Sequence, residues 1–78
     1  MKDFAEYLVK TIVDSPESVV VNEQNDGQGY ITLSLTVAPT DMGKIIGKNG
    51  RIIKAVRDLV KILAIKENVK VNLTLTEV

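Results

Sequence analysis

From Lys2 to Asp14, apolar side chains recur a helical turn apart. Phe4, Ala5, Leu8, Val9 and Ile12 share one side, and Lys2, Glu6 and Lys10 take the other. The spacing predicts a helix over 2–14, which Pro16 closes by disfavouring helical geometry at Ser15. The period then changes. Val19-Val20-Val21 is a β-branched run that predicts a strand. Asn25-Asp26-Gly27-Gln28-Gly29 has the composition of a hairpin turn. Beyond it, Ile31, Leu33, Leu35 and Val37 alternate with Thr32, Ser34 and Thr36, the pattern of a strand with one buried face.

Ala38-Pro39 ends that strand. Thr40 or Asp41 is placed to cap a short helix running to Ile46. A second helix is predicted from Arg51 to Ile65, with Ile52, Ile53, Val56, Leu59, Val60 and Leu63 as one apolar stripe directed at the core. Val69, Val71, Leu73 and Leu75 alternate with Lys70, Asn72 and Thr74 in a last strand. The order α-β-β-α-α-β predicts an α+β fold, a three-stranded sheet with its helices packed on one face.

Composition narrows the function. The chain has 78 residues, 45% of them apolar, which suits a single packed domain over 1–78 and argues against disorder. Such a small domain is marginally stable alone, so self-association is expected. Cys and His are both absent, removing thiolate nucleophiles, the usual general base and the commonest metal ligands. The acidic residues form no convergent pair, so we expect no enzyme activity and no metal or cofactor. No apolar run approaches the roughly 18 residues of a membrane span. The charged start Met1-Lys2-Asp3-Phe4-Ala5-Glu6 does not read as a signal peptide, so the expected location is the cytoplasm.

Net charge is zero, but it is unevenly spread. Residues 1–39 carry two Lys against six acids, whereas residues 40–61 carry Lys44, Lys48, Arg51, Lys54, Arg57 and Lys61 against Asp41 and Asp58. One segment therefore holds the positive charge, and it is the candidate face for a polyanion.

Within it lies Ile45-Ile46-Gly47-Lys48-Asn49-Gly50-Arg51-Ile52-Ile53. Two glycines three apart allow a tight reversal and let an external group approach the main chain. The loop opens directly into a helix N-terminus, where unpaired N–H groups and the helix dipole favour an anion. Lys48 and Arg51 add side-chain charge there, and Lys54, Arg57 and Lys61 share a flank of the following helix. A chain of phosphates fits these features better than one small anion. A nucleotide-binding P-loop is excluded, because Gly43 to Gly47 is one residue too short and Lys48 is followed by Asn49. Phe4, Tyr7 and Tyr30 are all remote from the loop, so an aromatic stacking platform is not expected.

The same stretch resembles the KH-domain signature I-I-G-x-x-G-x-x-I, with Gly47 to Gly50 as its GxxG loop. The element order is that of the bacterial, type II KH domain. The run from Val37-Ala38-Pro39 through Asp41, Gly43 and Lys44 to Arg57 is similar to the small bacterial KhpA family, over essentially the whole chain. The resemblance implies a groove for about four unpaired nucleotides of RNA. Gly47, Lys48, Asn49 and Gly50 would clamp the backbone. Ile46, with Ile45 or Ile53, would form the floor or the core beneath it, and Lys44, Arg51, Lys54 and Arg57 would add charge. It further implies an RNA chaperone or post-transcriptional regulator linked to cell elongation and division. The implied partners are a second copy and a larger KH-containing protein (KhpB, also called EloR or Jag). A KH domain kept only for protein interaction, and single-stranded DNA as the ligand, remain alternatives.

One further pattern lies on the second helix. Ile62 and Ile65 fall off its apolar stripe and align with Ala55 and Asp58 at spacings of three and four. This seam is expected to pair with its copy in a homodimer that leaves the GxxG loops free, the alternative being that Ile62 and Ile65 pack on the first helix or the final strand.

Overall fold

The computed structural model describes residues 1–77. Helix α1 spans Lys2–Ile12, strand β1 Val20–Asn25 and strand β2 Tyr30–Val37. Helix α2 spans Met42–Ile46, helix α3 Arg51–Lys66 and strand β3 Lys70–Glu77. Single 3₁₀ turns at Pro16–Ser18, Pro39–Asp41 and Lys48–Gly50 join them. The expected α-β-β-α-α-β order and three-stranded sheet are both present.

β2 is the central strand. It pairs antiparallel with β1, Val21 opposite Leu35, and parallel with β3, Leu33 opposite Leu73. Its alternation decides the layering: Ile31, Leu33, Leu35 and Val37 are buried, while Thr32, Ser34 and Thr36 lie on the opposite, open face. Ala5 and Val9 of α1, Ile45 of α2 and Ile53, Val56 and Val60 of α3 join the same core cluster, so all three helices cover one face. The parallel β2–β3 pairing requires the chain to cross over between them, and α2 and α3 are that crossover. The crossover carries the GxxG loop to the end of the sheet where β2 finishes.

Two expectations are corrected. Asp41 sits at the start of α2, but its side chain does not cap that helix. The carboxylate is 1% exposed and accepts the backbone N–H groups of Asp14 and Ser15, at 3.1 and 3.0 Å. A buried carboxylate is tolerable only with such donors. Here they tie the end of α1 to the start of α2, and this also ends α1 at Ile12, ahead of the predicted Asp14. The second correction is Leu59, expected in the core stripe of α3 but 43% exposed. The buried face is Ile53, Val56, Val60 and Ala64, which is narrower than the apolar pattern and shifted away from Leu59.

Candidate nucleic-acid interface

Between α2 and α3 the backbone runs through three positive-φ residues, Gly47 (72°), Asn49 (58°) and Gly50 (73°). Asn is the side chain that best tolerates this region, and the two glycines carry no Cβ to oppose it. The glycines nonetheless serve different ends. A Cβ on Gly47 would come within 2.5 Å of Ile52 Cγ1, so this glycine lets the loop close onto α3. A Cβ on Gly50 would meet nothing within 4 Å. The space above Gly50 is open to an incoming group.

The loop is held by its own backbone. The Gly47 N–H donates to Gly43 O at 2.9 Å, and the Gly50 N–H donates to Gly47 O at 3.2 Å. Gly50 is the N-cap residue of α3, and no side chain caps that helix. The N-terminal donors of a 16-residue helix thus face a loop that brings cations and no carboxylate. Lys48, Asn49 and Arg51 are exposed beside them. Neither Lys48 nor Arg51 has an ion-pair partner among the described residues.

The other expected residues separate into three groups. Ile46 is 38% exposed next to the loop, whereas Ile45 is fully buried and Ile53 nearly so. Ile45, expected among the RNA-contacting residues, therefore supports the site from the core, and Ile46 alone of the three offers an apolar surface. Lys44 turns away from the loop to pair with Asp14 at the end of α1. Lys54 pairs with Asp58 at 3.0 Å on the solvent side of α3, a contact of little strength at this exposure.

Arg57 is placed most tightly. It is half-buried, and its Nε donates to the Leu73 carbonyl of β3 at 3.1 Å. This contact marks a feature that no residue pattern in the sequence had indicated. β3 is an edge strand, and its Lys70 N–H turns inward to Gly29 O. In a parallel ladder the direction alternates along the strand, so Val71, Leu73 and Leu75 direct their backbone groups to the free edge. Arg57 takes one of those carbonyls. Between α3 and the start of β3 lies a shallow groove lined by Lys61, Ala64, Ile65, Val69, Lys70 and Val71, and the outward peptide groups of β3 continue from it toward Arg57. Lys61 lies on the same flank of α3 as Lys54 and Arg57, about 15 Å along the axis from Arg51.

The exposed side of α3 is also apolar in part. Ile62 is 62% and Ile65 77% exposed, with Ala55 and Leu59 open on the same side. Among the described residues, no group of His, Cys, Asp or Glu is placed to hold a metal ion, and no helix is long and apolar enough to cross a membrane.

Comparison with known proteins gives the family. Residues 2–75 match the family model described as KhpA/KhpB, KH domain. The RNA-binding protein KhpA of Clostridium perfringens is 56% identical over 71 residues, covering 91% of this chain and 93% of that protein. The RNA-binding protein KhpA of Chlamydia caviae is 51% identical over 77 residues, covering 99% and 97%. Among solved structures, Era of Aquifex aeolicus bound to GDP and aluminium fluoride shares the fold, with a TM-score of 0.64 and 16% identity. The match covers 97% of this chain, which spans 29% of that Era chain. The relatives are named for RNA binding and their family is not enzymatic, and the chain is a member of that KhpA/KhpB family of KH domains.

Proposed function

We propose that the chain holds single-stranded RNA across the α3–β3 groove, with the sugar–phosphate backbone clamped on Gly47 to Gly50. The observation that carries this reading is the loop itself. It combines open space over Gly50, an uncapped helix N-terminus and two unpaired cations, Lys48 and Arg51, with no carboxylate among them. Phosphates meet the N–H groups and the cations, and bases turn toward Ile46 and the free edge of β3. Arg57, fixed on Leu73, and Lys54 add charge along the path, and Lys44 adds charge where RNA draws it from its exposed pair with Asp14. One groove sees few bases, so binding is weak and only mildly selective. Such binding fits an RNA chaperone or post-transcriptional regulator in the cytoplasm, and by family resemblance one linked to cell elongation and division.

The test is to replace Lys48 and Asn49 together with Asp. Asp tolerates left-handed backbone, so the fold survives while two carboxylates face the phosphates. Affinity for single-stranded RNA falls more than about tenfold, or about 1.4 kcal/mol. A folded double variant that binds RNA as the parent does would remove the loop from the interface. Single-stranded DNA measured in parallel separates the ligand classes, and a parent that binds neither favours a protein-interaction domain.

The working particle in this proposal is a homodimer through α3, with a larger KH protein as the competing partner. Ala55, Asp58, Ile62 and Ile65 recur at alternating spacings of three and four along one side of α3, a seam suited to a second helix. Covering Ile62 and Ile65 stabilises a small domain and leaves both loops free, so two weak grooves act with avidity. Ile62→Lys is expected to give a folded monomer by sedimentation. A parent already monomeric at tens of micromolar, or a variant that unfolds, would overturn the dimer.

A further inference from the structure

We infer that Asn49 is a site of spontaneous deamidation, through which the idle loop turns itself from an anion site into an anion-repelling one. The effect on binding rests on the RNA-clamp reading, but the modification itself does not. Asn49-Gly50 is the one Asn-Gly pair in the chain: Asn22, Asn25, Asn68 and Asn72 precede Glu23, Asp26, Val69 and Leu73. The reaction closes a five-membered ring. The backbone nitrogen of the following residue, after losing its proton to solvent base, attacks Cγ of the Asn. The Cγ–Nδ2 bond breaks, and Nδ2 leaves as ammonia. Water then opens the cyclic imide at either carbonyl, giving Asp or an isoaspartyl linkage that runs through the side chain. Water is taken up and ammonia is released, with no other reactant.

Three features of the loop favour the first step. Gly50 presents no side chain to hinder ring closure, and nothing lies within 4 Å of where its Cβ would stand. The Asn49 side chain is exposed and makes no hydrogen bond among the described residues, so its amide is free to turn. The attacking nitrogen also belongs to the residue that caps α3, beside Lys48 and Arg51. A helix N-terminus and two cations stabilise the negative charge that develops on that nitrogen and on the amide oxygen. The electrostatics that suit a phosphate thus suit this transition state too. What opposes it is the bond from the Gly50 N–H to Gly47 O, and the Asn49 ψ of 28°, which must rotate to bring Cγ to the nitrogen.

The product changes the site chemically. A carboxylate replaces a neutral amide between the two glycines and offsets Lys48, and the isoaspartyl form lengthens the clamp backbone by one carbon. Bound RNA acts in the opposite direction, because a phosphate seated on the loop keeps the Gly50 N–H on Gly47 O and blocks rotation at Asn49. Protein in use is preserved, and idle protein loses its clamp.

Asn68 is the internal control. It is exposed and left-handed, with φ 60°, but is followed by Val69. The intact chain is incubated in mildly alkaline buffer, with and without excess uridine-rich single-stranded RNA, and mapped by peptide mass spectrometry. Asn49 is expected to gain the mass of an amide-to-acid exchange, with both Asp and isoaspartyl peptides, while Asn25 and Asn68 stay intact. RNA slows the conversion, and converted protein binds RNA about tenfold more weakly than fresh protein. Asn49→Gln, which would need a larger ring, keeps whatever affinity it starts with over the same time. Survival of Asn49 for as long as Asn68 would overturn the modification. Unchanged affinity after full conversion would overturn its consequence. Conversion in a chain that never binds RNA would uphold the modification while overturning the clamp.

Discussion

The hairpin turn at residues 25–29 and the loop at residues 47–50 each set two glycines at positive φ and end in opposite states. Gly27 and Gly29 have φ of 81° and 88°, matching the 72° and 73° of Gly47 and Gly50. In the hairpin, Asn25 Oδ1 accepts the Gly27 N–H at 2.9 Å. Asp26 Oδ1 accepts those of Gln28 and Tyr30, at 2.7 and 3.1 Å. That turn satisfies its own donors with its own side chains, and its one charge is negative. The loop at 47–50 leads into a helix that no side chain caps, and its charges are positive. Glycine content does not separate a structural turn from a binding site here. What separates them is whether a side chain of the turn supplies an acceptor for the donors that follow it.

The largest effect expected from breaking this comparison is on stability, at Gly47. Gly47→Ala puts a Cβ against Ile52 and imposes left-handed geometry on a side chain, together costing about 2–4 kcal/mol. Gly27→Ala carries the left-handed cost alone, about 1 kcal/mol, since a Cβ there meets nothing within 4 Å. Urea midpoints of the two variants measure the difference. Equal midpoints would mean that the loop's closure on Ile52 does not hold Gly47 in place.

A smaller effect is expected on the flank of α3. Lys54→Ala with Arg57→Ala weakens RNA binding for all sequences alike and reduces the salt slope by about 0.7 for each phosphate no longer neutralised. Arg57→Ala also costs about 1 kcal/mol of stability, because the Leu73 carbonyl loses its donor. Lys54→Ala costs almost none, its pair with Asp58 being exposed. An unaltered salt slope would confine RNA to the loop. A single change at Arg57 that lowers stability without touching the slope would make it a brace for β3 alone.

Much of this was legible in the chain, and the failures share a cause. The alternation Ile31, Leu33, Leu35, Val37 predicts β2 and its buried face because a half-buried strand must alternate. The GxxG stretch is readable because positive φ demands glycine or asparagine locally. The polar end of β1, Asn22-Glu23-Gln24-Asn25, is a strand only because β2 pairs with it, so its apolar pattern stops at Val21. Asp41 looked like a helix cap because its partners, Asp14 and Ser15, are far away in sequence. Leu59 looked like core because periodicity gives the direction of a helix's apolar face but not how much of it a small domain can cover. The free edge of β3 follows from the order β1-β2-β3, and no residue pattern within β3 encodes it.

The smallest effect tests the comparison from the hairpin side. Asp26→Ala removes the acceptor of the Gln28 and Tyr30 N–H groups and leaves Asn25 holding Gly27. The turn is exposed, so water replaces the missing bonds in part, and the expected cost is about 0.5–1 kcal/mol. If open donors on a glycine turn were enough to bind phosphate, this variant would gain affinity for RNA at its second turn. None is expected. The freed N–H groups stand at no helix N-terminus, Asn25 still accepts the neighbouring Gly27 N–H, and the only cation the β2–β3 register sets beside them is Lys70, across from Tyr30. Titration of RNA into Asp26→Ala should therefore give the parent's affinity and stoichiometry beside a slightly lower urea midpoint. A second equivalent of bound RNA would show that donors without a helix dipole suffice, and the contrast between the two turns would then rest on Asp26 alone.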